Sequence, residues 1–242
     1  MKRVLTTIIF LSLITSVIAK DTDPLYKLAP VSVRQTNARP DLPGILKVEL
    51  GWSFLQDEPE PMAIKTFGSR SVNIAYSYEF PLGNFGLYVV PGVGLGLDRY
   101  KFDGDYTLTQ DEEGVVGYAD ISEISPKKSH LIANYVDIPV ELRFYVNKDN
   151  PKRSFHIGIG GKFGFLFSSH TKIKYDEGGE KVIDKEKRSY GLNPFRYGLT
   201  GRLGYGGISV FGYMSLSELF EDGPAGTLDT TNFTIGLGLN LF

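Results

Sequence analysis

Residues Thr230 to Phe242 read TTNFTIGLGLNLF. Phe233, Ile235, Leu237, Leu239 and Leu241 alternate with Thr234, Gly236, Gly238 and Asn240. A period of two belongs to a β-strand with one apolar face and one polar or bare face. Such a strand has an edge to pair and an apolar row to cover. Seven stretches upstream repeat the pattern, and together they decide the fold.

Ile45 to Leu55 sets Leu46, Val48, Leu50, Trp52 and Phe54 against Lys47, Glu49, Gly51 and Ser53. Ser71 to Phe80 sets Val72, Ile74, Tyr76, Tyr78 and Phe80 against Ser71, Asn73, Ala75, Ser77 and Glu79. Phe85 to Phe102 places Leu87, Val89, Val93, Leu95 and Leu97 opposite glycines 86, 92, 94 and 96, ending at Asp98. Leu131 to Val146 opposes Ile132, Val136, Ile138, Val140, Leu142 and Phe144 to Asp137, Glu141 and Arg143. Phe155 to Ser168 opposes Ile157, Ile159, Phe163, Phe165 and Phe167 to His156, Lys162 and glycines 158, 160 and 164. Phe195 to Tyr205 opposes Tyr197, Leu199 and Leu203 to Arg196, Thr200 and Arg202. Ile208 to Phe220 is the seventh strand.

Connections alternate in length. Segments 81–84, 147–153 and 206–207 are short, and Pro81-Leu82-Gly83-Asn84 and Gly206-Gly207 have tight-turn chemistry. Segments 56–69, 103–129, 170–192 and 221–229 are long; 103–129 is acidic and aperiodic, and 170–192 is charged. These read as loops. The pattern is an eight-stranded antiparallel up-and-down barrel, closed by pairing 45–55 with 230–242. An eleven-residue strand tilted near 45° rises roughly 25 Å, the height of a bilayer's apolar band.

Alternation alone does not say which face is outside. A secreted lipocalin-like carrier turns its apolar face inward around a ligand. Three features favour a transmembrane β-barrel instead. The polar face carries most strand glycines, which make room for long side chains in a narrow lumen but would only weaken a solvated surface. Aromatics gather at strand ends on the apolar face, with Phe80, Phe85, Phe144, Phe155 and Tyr205 near the short turns. Trp52, Phe54, Phe167, Phe195 and Tyr197 stand near the long loops, so two girdles bound an apolar band. Polar-face charges also balance: Lys47, Arg143, Lys162, Arg196 and Arg202 against Glu49, Glu79, Asp98, Asp137 and Glu141. Enclosed charges need partners, and these ten are expected to form a lumen network. A final aromatic, Phe242, is also the expected signature of an outer-membrane barrel's closing strand.

Met1-Lys2-Arg3 followed by apolar Val4 to Ala19 reads as a signal peptide over 1–19, too short for a transmembrane helix. Segment 20–43, with four prolines, reads as a flexible periplasmic tail, and 44–242 as the barrel. Cysteine is absent, which excludes disulfides, thiol catalysis and a lipid-modified cysteine. A net charge of −2 gives no nucleic-acid signature.

Residues Asn134 to Tyr145, NYVDIPVELRFY, resemble the Y-[LV]-[ED]-I-P-x-x-L-[KR] core of the PorT-like outer-membrane barrels of Bacteroidetes. Glu141 stands where many relatives carry an apolar residue. Pro91-Gly92-Val93-Gly94, the glycine-rich fifth strand and Leu216-Ser217-Glu218-Leu219-Phe220 extend the similarity over about residues 44–242. The resemblance implies an eight-stranded outer-membrane barrel, some members of which serve type IX secretion.

The chemistry on offer is sparse. His130, His156 and His170 are the three histidines. A lipid A-modifying enzyme would use His130 or His170 near the outer rim, but Ser169 and His170, as strand neighbours, point to opposite faces. His156 reads as a hydrogen-bonding group in the lumen. Asp111-Glu112-Glu113 lacks the spacing of a calcium site, and the Gly-x-Gly pairs at 92–96 and 158–160 are strand glycines with no helix following. No cofactor is expected. The expected function is a non-enzymatic structural or assembly component of the cell envelope, secretion-related in its narrower form. Its expected partners are outer-membrane lipid, lipopolysaccharide and envelope or secretion-machinery proteins.

Overall fold

In the computed structural model the described residues are 44–225, 227 and 229–241. The signal peptide and tail expected over 1–43 lie outside them, as does Phe242. In chain order the strands are β1 (Ile45–Gln56), β2 (Arg70–Ser77), β3 (Phe80–Pro81), β4 (Leu87–Lys101), β5 (Tyr106–Gln110) and β6 (Val116–Asp120). They continue as β7 (Lys128–Tyr145), β8 (Phe155–Glu177), β9 (Glu180–Glu186), β10 (Phe195–Tyr205), β11 (Ile208–Ser215) and β12 (Thr231–Asn240).

Eight of these, β1, β2, β4, β7, β8, β10, β11 and β12, pair antiparallel with both neighbours and close on themselves. The seam joins β1 to β12, with Trp52 opposite Ile235 and Phe54 opposite Phe233. Closure matters because hydrocarbon offers no hydrogen bonds to a free strand edge. The fold is an all-β, eight-stranded antiparallel barrel.

The apolar rows face outward: Leu50, Ile159 and Leu203 are 59%, 64% and 62% exposed. Residues between them point into the lumen, where Lys47, Asp98, Asp137, Glu141 and Arg143 are buried. This sidedness sets the lipocalin-like alternative aside, since that fold needs the apolar rows inside. Aromatic rows stand outward at both rims, Phe80, Phe85 and Phe155 at the short-turn end and Trp52, Phe167 and Phe195 at the other.

Several boundaries differ from the sequence expectation. The second strand breaks after Ser77, and only Phe80 and Pro81 rejoin the sheet. The seventh stops at Ser215, releasing Leu216 to Phe220 from the barrel wall. Segment 103–129, expected to be loop, holds the hairpin β5–β6. The expected loop 170–192 is largely strand, because β8 continues to Glu177 and pairs with β9. Polar and charged residues hid these strands, since solvent-exposed hairpins need no apolar row.

Candidate functional site in the barrel lumen

The ten expected lumen charges fall into two groups, each electrically neutral. Nearer the short turns lie Lys47, Glu49, Glu79, Glu141, Arg143 and Arg202. Glu141 is their centre: its Oε1 accepts from Arg143 Nε at 2.7 Å and its Oε2 from Arg202 Nε at 3.1 Å. Lys47 Nζ stands 3.7 Å from the same Oε2. Arg143, with no exposed surface, also donates to Glu79 at 2.8 Å, and the Tyr145 hydroxyl donates to that same Glu79 oxygen at 2.7 Å. Arg202 reaches Glu49 with one terminal nitrogen and Ser209 Oγ at 2.8 Å with the other.

Nearer the long connections lie Asp98, Asp137, Lys162 and Arg196. Arg196 grips Asp137 through Nε at 3.1 Å and Nη2 at 2.7 Å, and its Nη1 donates to Asp98. The two-point contact fixes the guanidinium plane as well as its charge. That plane lies 3.9 Å from the Tyr135 ring centre, and Lys162 Nζ sits 3.8 Å from the Tyr213 ring centre while 3.7 Å from Asp137. Between the groups is a cavity of about 40 Å³ lined by Glu49, Asp137, Glu141, Lys162 and Arg202. It has room for roughly two or three waters.

Lumen glycines are the counterpart of this packing. A Cβ at Gly164 would stand 2.8 Å from Arg196 Nε, one at Gly158 2.7 Å from Glu141 Cδ, and one at Gly238 2.9 Å from Arg202 Nη1. Each bare position is the wall against which a charged side chain from another strand lies.

A second closure was not legible as such in the sequence. Met62, Leu108, Val116, Tyr190, Leu192, Leu219 and Phe220 form one buried apolar cluster with Tyr100, Leu131 and Tyr135. All four long connections contribute, so the mouth at that end is capped by an apolar core. Tyr190 anchors it with its hydroxyl 2.8 Å from Thr171 Oγ1, and its backbone adopts the left-handed region beside Gly191. The signal was faint: Met62, Leu108, Val116, Tyr190 and Leu192 stand scattered within segments 56–69, 103–129 and 170–192, and Leu219 and Phe220 read as the end of the seventh strand.

The remaining candidates do not converge. Ser169 faces inward and donates to the Arg188 carbonyl at 2.6 Å, while His170 lies on the other face opposite Ile132. His130 stands between Lys101 and Lys172 across neighbouring strands. His156 does lie in the lumen, but neither ring nitrogen is hydrogen-bonded; it packs 5.4 Å from the Tyr145 ring in space left by Gly204. Asp111 is occupied within the β5–β6 turn, accepting from the Val115 amide at 2.7 Å. Among the described residues no cluster of three His, Asp or Glu side chains has the geometry to hold a metal ion.

Among solved structures, Ail of Yersinia pestis, solved with the heparin analogue sucrose octasulfate, shares 14% identity at a TM-score of 0.34 over 82% of this chain and 97% of its own. Neisserial surface protein A shares 8% at 0.33 over 83% and 98%. A triple-mutant porin of Rhodopseudomonas blastica shares 11% at 0.19 over 82% and 98%. These likenesses are too distant to bear on function. No curated protein matches the chain. Residues 45–221, from the first strand of the closed barrel to just past β11, match the family described as outer membrane protein beta-barrel domain. With most of its length so matched, and its apolar rows turned out toward lipid, the chain belongs to that outer-membrane family.

Proposed function

We propose that this protein is a non-enzymatic outer-membrane barrel with a plugged lumen, acting as a structural or assembly component of the cell envelope through its surfaces. The observation that supports it best is the double closure. Ten charges fill the lumen in two neutral groups, and an apolar cap from all four long connections covers one mouth. In this reading the ten charges are structural. The long connections face the cell exterior, the short turns and the 20–43 tail face the periplasm, and residues 1–19 direct export. The narrower form is a PorT-like component of a protein-secretion assembly, supported by the Asn134–Tyr145 stretch alone.

Planar-bilayer recording tests the plug. No steady conductance above the leak of a closed eight-stranded control is expected, and a stable open channel would overturn it. The glycine tip at Gly178 has nothing within 4 Å and accepts an affinity tag. Mild-detergent purification through that tag should recover envelope proteins, and secretion-machinery components would favour the narrower form. Lipid A from cells with and without the gene should be identical by mass spectrometry. An acyl difference abolished by His130→Ala or His170→Ala would replace the structural role with an enzymatic one.

A further inference from the structure

The face of the sheet that meets lipid does not stay apolar to its end. On β4 the outward row runs Val93, Leu95, Leu97 and then Arg99 and Lys101. On β8 it runs Phe163, Phe165, Phe167 and then His170, Lys172 and Lys174. Lys128 and His130 continue the row on β7, and Lys185 continues it on β9.

Cross-strand registers bring these cations directly opposite one another. Arg70 faces Arg99, Lys128 faces Lys174, and Lys172 faces Lys185. Lys101 and Lys172 flank His130. Like charges directly opposite destabilise a sheet. None of these seven Arg and Lys side chains takes part in an ion pair within the described residues. Two carboxylates border these rows, and both are occupied by other cations: Asp176 by Lys127 at the hairpin end, and Asp103, beyond Lys101, by Lys65 at 3.0 Å.

The β8–β9 hairpin sorts its charges by face. Lys172, Lys174 and Lys185 continue the lipid side, while Glu177, Glu180, Asp184 and Glu186 lie on the other. A merely soluble hairpin has no reason to sort them so. The cationic field spans five strands, about 19 Å at 4.8 Å per strand, directly above exposed leucine and phenylalanine.

We infer that this field is a docking site for the phosphates of an outer-leaflet glycolipid, lipid A of lipopolysaccharide, whose acyl chains lie on the apolar rows below. A ligand here must be anionic at its head and apolar immediately beneath, which a soluble polyanion or an acidic protein is not. Phosphates between facing lysines convert a repulsive ladder into bridged pairs. The inference rests on the proposed orientation, with the long connections outside.

The test uses the folded barrel in detergent micelles, with Lys101→Gln, Lys172→Gln and Lys174→Gln combined. Native mass spectrometry should show bisphosphorylated lipid A bound to the wild type, with affinity lowered about tenfold or more in the variant. Dephosphorylated lipid A should bind both proteins equally weakly, and heparin and pyrophosphate should not compete at matched phosphate or sulfate concentration. Without lipid the variant should unfold at the same temperature as the wild type or higher, since repulsion is relieved. Equal lipid A binding by both proteins, phosphate-independent binding, displacement by heparin, or a destabilised variant would each overturn the site. Because the chain has no cysteine, Gly178→Cys gives a single target for an impermeant maleimide on intact cells. Labelling only after permeabilisation would refute the orientation; labelling without phosphate-dependent binding would refute the docking site alone.

Discussion

Arg196→Met is the sharpest probe of the lumen. Arg196 holds Asp98 and Asp137 together, and the only other cation of that group is Lys162, 3.7 Å from Asp137. Methionine keeps much of the side-chain length but removes the charge, leaving two buried carboxylates facing one lysine. Removing one partner of a buried pair costs about 3–5 kcal/mol, because the survivor is left buried and uncompensated. The same reasoning makes a less intuitive demand. Adding Asp98→Asn to Arg196→Met leaves the Asp137–Lys162 pair alone, so the group is neutral again. The double variant should therefore be more stable than Arg196→Met by about 2 kcal/mol, the scale of coupling between contacting residues. Denaturant unfolding in micelles measures both, with Trp52, the one tryptophan, as a fluorescence reporter on the outer wall. A loss below about 1 kcal/mol for Arg196→Met, or a double variant less stable than the single, would show that charge balance does not hold this lumen together.

Gly164→Ala should cost about 1–3 kcal/mol by crowding Arg196, whereas Gly201→Ala, with no atom within 4 Å of the new Cβ, should stay within about 0.5 kcal/mol; unfolding midpoints compare them. Phe220→Ala in the apolar cap should cost about 3–5 kcal/mol and speed proteolysis of the long connections, read by timed digestion of the folded barrel. It should not make the barrel conduct, because the charge groups beneath remain. Arg143→Ala should destabilise by about 3–5 kcal/mol, since Arg143 is fully buried among Glu79, Glu141 and Tyr145, whereas Lys172→Ala in lipid-free micelles should cost nothing measurable, since Lys172 pairs with no carboxylate; unfolding midpoints compare them.

The membrane-crossing part of this barrel was legible because lipid and lumen impose opposite demands on alternate residues. Phe195 to Tyr205 was readable to the residue at both ends for that reason. The ten charges of the polar face stand out in the sequence because they alternate with the lipid-facing rows, and a charge there has nowhere to go but inward. Their pairing does not. Nothing in the spacing says that Glu141 is shared by Lys47, Arg143 and Arg202, which come from three strands. Glu141 is also the position where the resemblance to PorT-like barrels breaks its apolar pattern, so the departure falls on the hub. The cap escaped because its members come one or two at a time from four separate connections, with no period to join Met62 to Leu108, Tyr190 or Phe220.

One residue explains why the cationic field could not be read by extending the strand pattern. Along β8 the outward residues are odd-numbered through Phe163, Phe165 and Phe167. Opposite them on β7 the register shifts between Asn134 and Tyr135, so Tyr135 pairs with Leu166 and Asn134 with Ser168. Phe167 is therefore the extra residue of a bulge, and a bulge exchanges the faces of everything beyond it. Past it the outward residues are even-numbered, His170, Lys172 and Lys174, while Ser169 and Thr171 turn in toward Arg188 and Tyr190. Carried on without the shift, the odd-numbered row would turn Ser169 and Thr171 toward lipid and the lysines inward. The bulge thus does two things at once: it delivers Thr171 to the Tyr190 anchor of the cap, and it lines the lysines up above the phenylalanines. A barrel of the same composition without that one residue would lose both.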